Sequence, residues 1–273
     1  MKTILVPTDF SEASENAIEY AVQFSHHVDS HIVLFHVYHT PPVAVEVPVV
    51  VISLEEQEKV CMEKLNEIRK SILSTSKKDL DIECACECGF AVDRIMEFTK
   101  ENKVDLIIMG MQGGGWLSEK LIGSITTAVI RDGKCPVISI GSGVKFNVPK
   151  KIAVALDGHA VRKATFWPLK DLVKAFGSHV YILNVVNEVK TIPVSSDAEV
   201  IEGEDVFADL PHSVHQTVQE DVSEGISDFI AEYGIDMLVM VTRKKSLIQN
   251  LFVEPHIKKM AFHTSIPLLA IHE

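Results

Sequence analysis

The run Ile4-Leu5-Val6-Pro7-Thr8-Asp9 returns 148 positions later as Ile152-Ala153-Val154-Ala155-Leu156-Asp157. The same offset lays Ser30-His31-Ile32-Val33-Leu34-Phe35-His36-Val37 on Ser178-His179-Val180-Tyr181-Ile182-Leu183-Asn184-Val185. Further along the offset is 131, where Val104 to Met109 meets Ile235 to Met240 and Cys135 to Ile140 meets Ile266 to Ile271. The chain is one fold written twice, the second copy shorter by 17 residues in its middle.

Each copy reads as strand, helix, strand, long loop, helix, strand, helix, strand, helix, strand. The strands are short continuous apolar runs, as expected where helices cover both faces of a sheet. Ala17, Ala21 and Phe24 keep the core spacing of a first helix, and Ser53 with Glu56 three residues on predicts a capping box at the start of another. Strands alternating with helices imply parallel pairing through right-handed crossovers. The expected architecture is α/β: two tandem doubly wound domains, 1–146 and 147–273, joined by a linker near Gly141-Ser142-Gly143 through Pro149.

A net charge of −12, with acidic residues in excess in both halves, argues against nucleic acid or an anionic membrane as the partner. No run approaches the roughly 20 apolar residues that span a bilayer. The first residues, Met1 to Pro7, lack the apolar core of a signal peptide. Five cysteines, an odd number gathered in the first half, do not make a disulfide framework, so a reduced cytoplasmic protein is expected.

Five of the 14 glycines fall between Gly110 and Gly123. They follow a strand ending at Met109 and lead into an apolar-periodic helix starting near Ser124. Glycines let backbone N–H groups approach an anion, a helix N-terminus adds partial positive charge, and Ser124 offers a hydroxyl. In an open α/β sheet ligands bind at the carboxyl ends of strands, where this loop sits. It is neither a P-loop, since no Gly-x4-Gly-Lys-Ser/Thr exists, nor a dinucleotide fingerprint, since Ser118 stands at the third glycine position.

The spacing Gly110-x2-Gly113-x9-Gly123-Ser124, with Val6-Pro7-Thr8-Asp9-x-Ser11 after the first strand, resembles the ATP-binding branch of the universal stress protein family. His36-Val37 ending the second strand and Cys135-Pro136-Val137 opening the last are similar to that family too. The resemblance covers the chain twice. It implies an adenine nucleotide alpha hydrolase-like fold, with a five-stranded parallel sheet per copy and adenosine between the first and fourth strands. It places adenine against Thr8, Asp9 and Val37, and phosphates along Gly110, Gln112, Gly113, Gly123, Ser124 and Ile125. Pro7, Met109 and Thr126 complete the implied binding set for ATP, with or without Mg2+. It further implies that the two copies pair through their final strands, as the family's homodimers do. Further dimerisation and a protein partner stay open.

Other features have plainer readings beside the sharp ones. Asp9 or Ser11 could simply cap the next helix, and Asp157 survives in the copy whose glycine loop is gone. There Val241, Lys244, Glu254 and Pro255 replace Gly110, Gly113, Gly123 and Ser124. Glu254, with Arg243 or Lys244, could be a built-in anion that closes the second site; drift in a solvated loop is the alternative. Cys84, Cys86 and Cys88 share one face of a strand and read as buried small hydrophobes, since structural zinc takes four ligands; metal binding or redox sensing is the alternative. His26, His27, His31, His36 and His39 are too scattered for a metal cluster. The apolar stretch from Pro41 to Leu54 packs on its own domain, covers the nucleotide or makes a subunit contact.

Three functions fit this sequence: a regulatory protein that binds ATP or another adenine nucleotide through the first domain, a slow ATPase or nucleotide hydrolase, and an interaction module without nucleotide. No catalytic elbow or metalloprotease motif exists, and related hydrolases carry Ser-Gly-Gly-x-Asp-Ser where this chain has Pro7-Thr8-Asp9-Phe10-Ser11. The first function is therefore expected.

Overall fold

A computed structural model describes residues 1–39, 53–76, 78–111, 124–156, 161–186, 206–219, 221–242 and 266–273. In the first copy β1 (Thr3–Pro7), α1 (Glu12–Val28), β2 (His31–Tyr38), α2 (Leu54–Thr75), β3 (Ile82–Cys88), α3 (Ala91–Glu101), β4 (Leu106–Gly110), α4 (Ser124–Asp132) and β5 (Val137–Ile140) follow in order. The second has β6 (Lys151–Leu156), a 3-10 turn (Lys163–Phe166), α5 (Trp167–Phe176), β7 (His179–Val186), β8 (His212–Val218), α6 (Val222–Tyr233), β9 (Met237–Thr242) and β10 (Leu268–His272).

These strands form one ten-stranded sheet, in the order β3-β2-β1-β4-β5-β10-β9-β6-β7-β8. Every pair within a copy is parallel. At the middle, β5 and β10 pair antiparallel, with Ser139 opposite Leu268 and Ile138 opposite Leu269. Pairing the two last strands removes both of their free edges, which would otherwise present unpaired backbone groups.

The sequence signals act locally as expected. Ser11 caps α1 by accepting from Ser14 N, and Ala17, Ala21 and Phe24 on that helix are fully buried. The capping box of Ser53 and Glu56 is present at α2. The repeat also survives as geometry. Asp105 Oδ2 accepts from the N–H groups of Lys2 (2.6 Å) and Thr3 (3.0 Å), and Asp236 Oδ2 accepts from Lys150 and Lys151 (2.8 Å each).

Alternate residues of the central strands enter opposite cores. Ile4, Val6, Ile152 and Val154 face α1 and α5, while Leu5, Ala153 and Leu238 face α3, α4 and α6. Each core runs through both copies. The linker is not a free tether: Asn16 Nδ2 donates to the carbonyls of Gly141 (3.2 Å) and Val144 (3.1 Å). Phe146 then joins Tyr20, Phe24 and Phe176, with ring centroids 5.1 Å, 6.1 Å and 6.3 Å away. Among the described residues no helix is long and apolar enough to cross a membrane.

Candidate functional site

The first copy's chain runs β1, β2, β3 to one side and then crosses back to β4, so the strand order reverses between β1 and β4. At the carboxyl ends of these two strands lies a cavity of about 330 Å3. It stands where doubly wound sheets open a crevice.

One wall is the turn after β1. Thr8 N donates to Phe35 O (2.8 Å), continuing the β1–β2 ladder by one residue. Ser14 Oγ donates its proton to Ser11 O (2.9 Å), so the 2.9 Å contact between Thr8 Oγ1 and Ser14 Oγ is donated by Thr8. Thr8 Oγ1 in turn accepts from Phe10 N (3.1 Å), and His36 Nδ1 donates to Thr8 O (2.8 Å). The Thr8 hydroxyl is thus committed to shaping the turn. The turn also carries Phe10 at φ 63°, a conformation a bulky side chain rarely takes. Its ring lies 4.4 Å from that of His36, with Lys64 Nζ 5.2 Å from its centroid.

Asp9 is exposed on this turn, and its Oδ1 accepts from Ser11 N (3.0 Å) and Ser11 Oγ (2.5 Å). Partial burial pushes its pKa up, but the bonds from Ser11 outweigh that and hold the carboxyl below its usual range. Asp9 therefore organises the start of α1, the shared structural role that the survival of Asp157 suggests. Asp157 itself lies outside the described residues.

The opposite wall is β4 and the start of α4. Thr126 Oγ1 donates to Gly110 O (3.0 Å), tying the first turn of α4 to the end of the strand. The first N–H groups of any helix lack intrahelical partners, and this turn brings Ile125 and Thr126 to the cavity. Gly110 is packed from behind by α1. A Cβ there would lie 2.6 Å from the carbonyl carbon of Ala13 and 3.1 Å from Ser14 N.

Of the residues singled out from sequence, Pro7, Thr8, Asp9, Val37, Met109, Gly110, Ile125 and Thr126 line this one cavity. Ser124 opens α4 next to Ile125. Gln112, Gly113 and Gly123 lie outside the described residues, as do most of the Pro41 to Leu54 stretch and Arg243, Lys244, Glu254 and Pro255. The cavity also takes in Phe35, His39, Ala91 and Ile95, which sequence reasoning missed. Phe35 and His39 flank Val37 at the two-residue period of β2, which was available as a signal. Ala91 and Ile95 are one helical turn apart on α3, and no motif marks them.

The second copy carries larger apolar side chains at three of these positions. Leu156, Val161 and Val241 stand at the positions of Thr8, Ala13 and Gly110, and all three are buried in one apolar core with Phe166.

The cysteine reading needs correcting. Cys84, Cys86 and Cys88 do share a face of β3, but β3 is an edge strand, so Cys84 and Cys86 are only half-buried beneath α2 and Cys88 is exposed. Burial, with Cys61 and Glu58 nearby, pushes the Cys86 thiol up to about 11. A thiol that stays protonated at neutral pH is a poor nucleophile. Among the described residues no group of three or more His, Cys, Asp or Glu is placed to hold a metal ion.

A family model described as the universal stress protein family matches residues 1–140 and again 149–272. Universal stress protein MJ0577 of Methanocaldococcus jannaschii is 30% identical over 152 residues, covering 51% of this chain and 94% of its own. Universal stress protein MJ0531 of the same organism is 28% identical over 144 residues, covering 51% of this chain and 81% of its own. Among solved structures, a universal stress protein from Archaeoglobus fulgidus matches with a TM-score of 0.75 and 20% identity, covering 98% of this chain and 97% of that one. That last likeness is one of fold.

Proposed function

From the premise that this chain belongs to the universal stress protein family, with two copies of the family's domain, we propose that it is a regulatory protein that binds one adenine nucleotide, ATP, through its first copy. One observation carries the reading. A cavity of about 330 Å3 lies at the β1–β4 switch point between a side-chain-free glycine and the N-terminus of α4, and the corresponding positions of the second copy hold Leu156, Val161 and Val241. A cleft of that size and mixed apolar and polar lining suits a nucleoside. A helix N-terminus beside it suits the phosphates. The glycines at 113 and 123 extend the same argument along the loop.

Asp9 is the carboxylate among the described residues lining the cleft. Held below its usual range, it is a weak general base near neutrality, which favours binding over hydrolysis. Magnesium enters this proposal only as the counter-ion the triphosphate brings with it.

The test is to denature the purified chain and identify any released nucleotide by chromatography and mass spectrometry, then to titrate the emptied protein with ATP. One adenine nucleotide per chain supports the proposal. Two per chain would remove the distinction between the copies. None, with no binding on titration, would overturn it in favour of an interaction module.

A further inference from the structure

Helix α3 begins without a cap. Phe90 stands at its N-cap position and makes no side-chain cap hydrogen bond, where Ser, Thr, Asn or Asp would stabilise the helix. The counterpart of Phe90 at the offset of 131 is Asp221, whose Oδ1 accepts from the N–H groups of Ser223 (2.7 Å) and Glu224 (3.3 Å). The first copy, which has the cleft, gives up the cap; the second keeps it.

What the first copy has instead is a ring in water. Phe90 is 75% exposed, although a phenylalanine gains by leaving solvent. Its ring centroid lies 6.0 Å from that of His39. His39 lines the cavity, and so does Ala91, the residue next to Phe90. His39 has no aromatic counterpart either, since position 187 at the offset of 148 is Asn187. Two rings therefore stand at the mouth of the cleft, and both positions carry polar, non-aromatic residues in the second copy.

We propose that Phe90 and His39 form an aromatic lip that stacks on the base of the nucleotide in the cleft, and that Phe90 is a specificity-determining residue for a planar heteroaromatic ring. This rests on reading the cleft as a nucleotide site. The flat faces of Phe90 and His39 are complementary to a purine, and covering them with a base removes apolar surface from water. The lip also explains the missing cap: a side chain folded back onto the N–H groups of α3 would not be available at the mouth.

The full chain is emptied of nucleotide and titrated with ATP in three variants, Phe90→Ala, Phe90→Asp and Phe90→Trp. Phe90→Ala is expected to weaken ATP about tenfold, within the range for a base stacked on an aromatic side chain. Phe90→Asp should weaken it as much while raising the thermal midpoint by about 2–4 °C, because it restores the cap seen at Asp221. Phe90→Trp should keep the affinity, and ATP should quench the fluorescence of the added indole relative to the wild-type background. If the wild-type chain binds ATP and Phe90→Ala binds it equally well, or the added indole is not quenched, the lip is overturned and the nucleotide reading stands. If the wild-type chain binds no ATP, the nucleotide reading itself fails and the lip with it.

Discussion

The carbonyl of Ala13 occupies the space that a side chain on Gly110 would need, with its carbon 2.6 Å from the position of a Cβ. Glycine is thus required at the end of β4 by the approach of α1, independently of any ligand. The second copy shows the alternative packing. Val241 and Val161 replace Gly110 and Ala13, and where α1 begins at Glu12, aligned with Ala160, the second copy starts with a 3-10 turn at Lys163 and an α-helix only at Trp167.

Gly110→Ala should therefore lower stability by about 1–3 kcal/mol, the cost of overpacking, and weaken ATP binding at the same time. Urea denaturation and calorimetric titration of the same preparation check both. Unchanged stability would mean that α1 can retreat in the first copy as it has in the second.

Phe10 at φ 63° makes a second, opposite prediction about glycine. Its counterpart at the offset of 148 is Gly158, a residue that takes positive φ without strain. Phe10→Ala and Phe10→Gly both remove the ring from His36 and Lys64, but only glycine relieves the backbone. Phe10→Gly should be more stable than Phe10→Ala by about 1 kcal/mol, reversing the usual order of the two residues. Equal midpoints in denaturant would show that the strain is absorbed elsewhere.

Tyr20 is buried among Phe24 and Phe146, and its hydroxyl has no hydrogen-bond partner among the described residues. Burial also pushes its phenol well above the ordinary tyrosine value. Tyr20→Phe removes an unsatisfied polar atom and keeps the ring contacts, so it should stabilise the chain by about 1 kcal/mol. A loss of stability would reveal a partner for that hydroxyl.

His272 links the copies at a different point, donating from Nε2 to Ile130 O of α4 (2.7 Å), while its Nδ1 is buried without a partner among the described residues. Burial pushes its pKa below the usual 6.5, and the bond to Ile130 opposes this only in part. The folded state therefore resists a proton that the unfolded chain accepts. The stability it confers is complete above pH 6.5 and falls as the pH drops from there toward the lowered value. His272→Gln keeps a donor and cannot titrate, so it should lose less stability than the wild type between pH 6.5 and 5. Parallel pH profiles of the two proteins would assign the acid sensitivity to other groups.

Much of this could be read from residues alone because the repeat constrains it twice. Runs such as Leu106 to Met109 and Met237 to Met240 are apolar throughout, as a strand covered on both faces requires. The cavity was legible where the chain is periodic, as at Val37, or punctuated, as at Gly110. It was illegible where it depends on distant parts of the chain. Nothing local to Gly110 announces that Ala13 will press on it from nearly a hundred residues away. Glu254 lies outside the described residues, but Leu156 at the position of Thr8 is visible at the offset of 148. A leucine there cannot make the turn's hydroxyl bonds, and in the structure it is core. Edge position was also hidden, and so three cysteines on an apolar-looking run emerged half in water.

The antiparallel seam between β5 and β10 has a consequence for inheritance as much as for stability. In a symmetric dimer every substitution appears on both sides of the twofold axis, so a change that fills one cleft fills both. Here the partner of β5 is encoded 129 residues further along the same chain, as Leu268 facing Ser139 attests. Their pairing does not weaken on dilution, because the two strands are tethered. Each half can therefore record its own changes. One can carry leucine and valine where the other has Thr8 and Gly110, while still completing the sheet on which the other depends.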